Sequence, residues 1–198
     1  MIETVGILGA GQMGNGIAHV FALAGCGVVL HDIARAQLEN SLITIRENLG
    51  RQVKKGAIAP SAVEETIARI SIDEDIGALA RVDFVVEAVT ENEALKLALF
   101  RKLDATVKPE AVLATNTSSI SVTKIAATTG RADRVIGMHF MNPVPVMKLV
   151  EVIRGHETSE ATFATTATLV ARLGKEMAVS QDYPGFIANR ILMPMINE

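Results

Sequence analysis

The sequence predicts an α/β domain built on a doubly wound, largely parallel sheet, and three observations carry that prediction. Short apolar runs of strand length alternate along the chain with segments of helical periodicity. The first run, Thr4-Val5-Gly6-Ile7-Leu8, stops at the glycine turn Gly9-Ala10-Gly11-Gln12-Met13-Gly14, which opens a helix. A second run, Val28-Val29-Leu30, ends at His31-Asp32 and completes one strand–helix–strand unit.

The elements follow in order. Met13, Ile17, Val20, Phe21 and Ala24 recur at helical spacing, and Gly25 is a natural stop. From about residue 34 to 69 the pattern is helical and more polar, broken once at Gly56-Ala57-Ile58-Ala59-Pro60. That reads as a helical hairpin projecting from the sheet. The run Asp83 to Val89 returns to the sheet, and Asn92 caps a helix with Leu95, Leu99 and Leu103 on one face. Ala111 to Ala114 is a strand, followed by a short helix after Ser119. Val135 to Met138 and Leu149 to Ile153 read as two more strands, and a helix runs from about Ser159 to Leu173 before Gly174. No repeat or low-complexity linker interrupts the series.

Composition excludes several classes. The 198 residues are 49% hydrophobic and 21% charged, with no Trp and one Tyr, so an ordinary core must rest on aliphatic side chains and Met. A net charge of −3 argues against a nucleic-acid binder or a protein held on anionic membranes. No apolar run approaches the roughly 20 residues needed to span a bilayer. No basic leader precedes the first strand, so a cytoplasmic enzyme is the expectation. Cys26 is the single cysteine and reads as a small packing residue between glycines. No spacing suggests a metal site.

The glycine turn sits where a dinucleotide fingerprint must sit, after a strand and at the start of a helix, which makes the fold Rossmann-like. Gly9 allows the tight turn, Gly11 lets backbone approach a pyrophosphate, and Gly14 brings helix and strand together. The helix N-terminus offers free N–H groups and its positive dipole end to the phosphates. Asp32, about 20 residues on, can accept from adenosine ribose hydroxyls and would repel a 2′-phosphate, favouring NAD over NADP. Arg35 is the nearby cation that pulls the other way.

Polar groups at the C-terminal ends of strands are the candidates for chemistry. Thr115-Asn116-Thr117-Ser118-Ser119 and His139-Phe140-Met141-Asn142-Pro143 both occupy such places. His139 can take a proton from an alcohol near neutral pH while hydride leaves the carbon. His19, His31 and His156 read as structural. Glu151 lies inside the apolar run Leu149 to Ile153, an expensive position for a lone carboxylate. Either it pairs with a histidine, or it faces water from an edge strand; spacing alone leaves both open.

The ordered set Gly9 to Gly14, Asn116-Thr117-Ser118-Ser119, His139 to Pro143, Leu149-Val150-Glu151-Val152 and Pro184-Gly185-Phe186-Ile187-Ala188-Asn189-Arg190 resembles the 3-hydroxyacyl-CoA dehydrogenases, nearest the short bacterial 3-hydroxybutyryl-CoA type. The resemblance implies reversible hydride transfer between an (S)-3-hydroxyacyl-CoA and NAD. It implies that His139 is the general base, that Glu151 orients it, and that Ser118 and Asn189 hold the substrate oxygen. It assigns Ala10, Gln12 and Met13 with the fingerprint glycines, and Glu91, Lys96, Asn116, Ser118 and Asn142, to the cofactor. For Lys96 a solvated helix charge is the competing reading. The acyl-CoA is expected near the hairpin, at Arg51, Lys54 and Lys55, with Ser41 and Ser118 also in reach.

By the same resemblance, residues 1–185 would form the NAD-binding domain. Residues 186–198 would begin an all-helical C-terminal domain that is otherwise missing and that builds the family's homodimer. The expectation is therefore that NAD binding survives and turnover is reduced. Two other readings stand beside it: a related L-gulonate or 3-hydroxyacid dehydrogenase that needs no CoA, and a non-catalytic NAD-binding fragment.

Overall fold

The structure, a computed structural model, describes residues 2–198. Eight strands form one sheet in the order β3-β2-β1-β4-β5-β6-β7-β8. They are β1 (Thr4–Leu8), β2 (Gly27–His31), β3 (Ile70–Asp73), β4 (Phe84–Glu87), β5 (Val112–Thr115), β6 (Val135–Phe140), β7 (Leu149–Arg154) and β8 (Glu176–Gln181). Every pairing is parallel except β6 with β7. The order reverses at β1, so the crevice between the C-terminal ends of β1 and β4 is the topological switch point where such sheets bind ligands.

Strands β4 and β5 are buried on both faces and correspondingly apolar, as a covered parallel sheet requires. On one face Val5, Ile7, Phe84 and Val86 meet α1 (Gln12–Leu23), α2 (Arg35–Lys54) and α6 (Glu160–Arg172) through Ile17, Phe21, Leu38, Ile45 and Leu169. On the other, Val85, Leu113 and Val135 meet α4 (Glu93–Thr106) and α5 (Val122–Ala126) through Phe100, Leu103, Val122 and Ile125. Asn92 caps α4 by accepting from Leu95 N at 3.0 Å, and Ser159 caps α6 by accepting from Thr162 N at 3.2 Å. The hairpin consists of α2 and α3 (Ala62–Ala68); α2 buries Leu38, Ile45 and Leu49 and turns its charged face to solvent.

Three details differ from the sequence reading. Strand β3 falls just past the expected hairpin; with four residues at a sheet edge, alternately half-buried and exposed, its signal is too short to separate from the helix before it. The stripe Leu95, Leu99 and Leu103 does not all face the core. Helix α4 instead buries Lys96, Phe100 and Leu103, while Leu95 and Leu99 line a groove above β1 and β4. Finally, α7 (Ala188–Asn197) buries none of its residues, leaving Ile191, Leu192, Met193, Met195 and Ile196 exposed. Among the described residues no helix is long and apolar enough to cross a membrane.

Candidate active site

The glycine turn has the geometry its sequence implies. Gly9 adopts φ +99°, which disfavours any side chain, and its N–H donates to His31 O at 2.8 Å. A Cβ on Gly14 would lie 1.7 Å from Gly9 O, so turn and helix touch backbone to backbone. A Cβ on Gly11 would meet nothing within 4 Å: this glycine faces open space, where a bulky group can approach the backbone. The groove beyond it has a volume of about 510 Å³ and is lined by Gly11, Gln12, Met13, Asp32, Ile33, Val89, Leu95 and Leu99. Free helix N–H groups at one wall and an apolar slot at the other suit a dinucleotide.

Asp32 is fixed in this groove. Its Oδ2 accepts from Ala10 N at 2.8 Å and its Oδ1 from Ala34 N at 3.0 Å, so the carboxylate orientation is set by backbone. Arg35 is exposed and paired with Glu39 at 3.0 Å.

The second half of the site comes from β5, β6, β7 and the start of α7. Antiparallel register places His139 directly opposite Glu151. Both are buried, and His139 Nδ1 lies 2.7 Å from Glu151 Oε2. The second oxygen, Oε1, accepts from Ile187 N at 3.0 Å and Ala188 N at 2.8 Å. With Nδ1 donating to the carboxylate, Nε2 is the ring's acceptor, and it sits 3.1 Å from Ser118 Oγ. Asn189 Nδ2 donates to Ser118 O at 3.2 Å, and Asn116 Oδ1 accepts from Phe140 N at 2.8 Å. Of the two readings of Glu151, the pair is the one realised: β7 is an interior strand, so no edge face exists for the carboxylate. Ser118, His139, Glu151 and Asn189 form one constellation.

Other candidates are placed differently. Glu91 Oε1 accepts from Thr117 Oγ1 at 2.5 Å, Ser118 N at 2.9 Å, Ser119 N at 3.1 Å and Ser119 Oγ at 3.0 Å. Burial alone would raise its pKa. The Thr117 bond, the Lys96 charge and the Ser118 and Ser119 bonds outweigh that and hold it below the usual carboxylate range. Lys96 is not a solvated helix charge. It is buried, 2.6 Å from Glu87 Oε1 and 3.4 Å from Glu91 Oε2. Ser41 is buried too, donating to Ala10 O at 2.6 Å. Its hydroxyl therefore braces the fingerprint turn and is out of reach of a CoA; residue type and hairpin position did not reveal which way it faces. Arg51, Lys54 and Lys55 are exposed at the far end of α2, outside the groove, with Arg51 paired to Glu47 at 3.4 Å. Asn142 is exposed beside Pro143.

Sequence reasoning passed over Glu87. It is fully buried at the end of β4. The clue was the one that exposed Glu151, a carboxylate inside an apolar run, here Phe84 to Val89.

A Rossmann sheet with a dinucleotide groove at its switch point and a His–Glu pair on the same C-terminal edge defines an NAD-dependent dehydrogenase. The sequence pattern of the family described as 3-hydroxyacyl-CoA dehydrogenase, NAD binding domain, matches residues 4–183. The chain is similar to a 3-hydroxybutyryl-CoA dehydrogenase of Bradyrhizobium diazoefficiens, 52% identical over 100% of this chain and 68% of that protein. A 3-hydroxybutyryl-CoA dehydrogenase of Clostridioides difficile is 42% identical over 97% of this chain and 68% of its own length. Among solved structures, (S)-3-hydroxybutyryl-CoA dehydrogenase of Ralstonia eutropha superposes with a TM-score of 0.97 at 47% identity, covering 100% of this chain and 70% of that one. The chain belongs to the 3-hydroxyacyl-CoA dehydrogenase family.

Proposed function

We propose that this chain catalyses the reversible NAD-dependent oxidation of an (S)-3-hydroxyacyl-CoA, of short-chain type such as 3-hydroxybutyryl-CoA, to the 3-oxoacyl-CoA. The observation that carries the proposal is His139, held on Nδ1 by Glu151 and presenting Nε2 beside Ser118 at the edge that bears the dinucleotide groove. NAD, when bound along the fingerprint, supplies the acceptor for the hydride that leaves C3. His139 Nε2 takes the 3-hydroxyl proton as that happens. Glu151 holds the ring in the accepting tautomer and stabilises the imidazolium that forms. In this reading Ser118 Oγ and the Asn189 amide hold the substrate oxygen, and in reverse the imidazolium returns its proton to the same oxygen.

Asp32 anchors the adenosine ribose in this reading, and Arg51, Lys54 and Lys55 supply cations for the CoA phosphates. The exposed apolar face of α7 supports treating residues 1–185 as the NAD-binding unit and 186–198 as the start of a helical one. The test is NADH formation from (S)-3-hydroxybutyryl-CoA, run beside free 3-hydroxybutyrate and beside NADP. Turnover with the thioester and NAD is expected to exceed both controls. Equal rates with the free acid would replace the CoA reading by that of a hydroxyacid dehydrogenase.

A further inference from the structure

Glu87 and Lys96 form an ion pair in which both side chains are almost completely excluded from solvent, 0% and 1% exposed. A pair like this gains little net stability, because each charge gives up its hydration and apolar side chains of similar volume often do as well. Its bonds show what it holds instead. Glu87 Oε1 accepts from Lys96 Nζ at 2.6 Å and from Val89 N at 2.8 Å; Oε2 accepts from Thr115 Oγ1 at 2.7 Å. Thr115 Oγ1 in turn accepts from Thr117 N at 3.2 Å. Lys96 Nζ also donates to Val89 O at 3.3 Å and lies 3.4 Å from Glu91 Oε2, whose partner oxygen gathers Thr117, Ser118 and Ser119. One carboxylate thus ties the loop after β4, whose Val89 lines the cofactor groove, to the loop after β5, which carries Ser118.

We infer that Glu87 is a positioning residue for the reaction: acting through Lys96 and Thr115, it fixes the Ser118 loop so that Ser118 Oγ stays within hydrogen-bonding distance of His139 Nε2. The inference rests on the proposed function for its kinetic consequence, not for its geometric one. A shift of about 1 Å in a substrate-orienting group can cost about 100-fold in rate. Two variants test it. Thr115→Val keeps the volume and removes only the hydroxyl between Glu87 and Thr117. Glu87→Leu with Lys96→Met removes both charges together, so no lone charge remains buried.

The expected result is a kcat lower by about 10- to 100-fold in both, with the Kd for NADH, read by fluorescence, within about threefold of the parent in Thr115→Val, which leaves the Glu87 and Lys96 bonds to Val89 in the groove intact. Thr115→Ser restores the rate. Crystal structures of the variants would place Ser118 Oγ beyond hydrogen-bonding reach of His139, and this readout needs no turnover. If the parent chain shows no activity, the Ser118 displacement still decides the inference and the functional reading alone fails. Unmoved Ser118 in a folded variant, or Thr115→Val and Thr115→Ser with the same kcat, would overturn it.

Discussion

The two halves of the sheet meet their tasks in different ways. In the β1–β4 half, the cofactor site is made mainly from consecutive residues: turn, helix start and strand end lie within the span Gly9 to Asp32, and backbone does most of the holding. In the β5–β8 half, Ser118, His139, Glu151 and Asn189 come from separate elements and are tied by side-chain bonds across strands. A backbone-built site tolerates changes of side chain but not of shape, whereas a side-chain site can lose one group and keep its fold. The contrast predicts that binding and chemistry can be damaged separately.

The largest separation is expected at His139. His139→Gln should lower kcat by about 10²- to 10⁴-fold, the usual worth of a positioned general base, while NADH affinity measured by fluorescence stays near that of the parent. The converse is Gly14→Ala. Its methyl group would collide with Gly9 O, so NADH binding should fall by more than about tenfold and the thermal midpoint should drop, whatever His139 does. Asp32→Asn removes the charge and, because the amide has one oxygen where the carboxylate uses two, gives up one of the bonds from Ala10 N and Ala34 N. Its Kd for NAD should rise by about tenfold and its discrimination against NADP should shrink, as competition titrations would show.

The smallest effect concerns a residue in neither half of the site. His19 on α1 is fully buried, and that burial, only partly offset by Gln52 beside it, lowers its pKa to about 4. The unfolded chain, near 6.5, binds the proton first, so stability is full above that value and is lost as pH falls from 6.5 towards 4. His19→Leu should flatten the thermal midpoint over that window, measured by calorimetry at successive pH values.

Legibility in the sequence follows the same division. Gly9 to Gly14 and Asp32 were readable because their geometry is local and the fingerprint is contiguous. His139 and Ser118 were readable as strand-end polar groups; spacing left Glu151 two readings, the family resemblance implied its pairing with His139, and antiparallel register sets the two opposite each other. Ser41 was given the wrong direction because a single helical serine does not announce its inner neighbour, Ala10 O. A solvated Lys96 stayed open as a reading because nothing in the spacing Glu87 to Lys96 says that both end up buried together. Strand β3 was missed because two isoleucines at an edge carry too little periodicity.

The most direct test of the central claim compares the parent chain with His139→Gln for NADH formation from (S)-3-hydroxybutyryl-CoA, with NADH affinity measured on the same preparations. The account predicts that turnover falls by at least about 100-fold in the variant while the Kd for NADH is unchanged. A variant that turns over as fast as the parent, or a parent no faster than the variant, would contradict it.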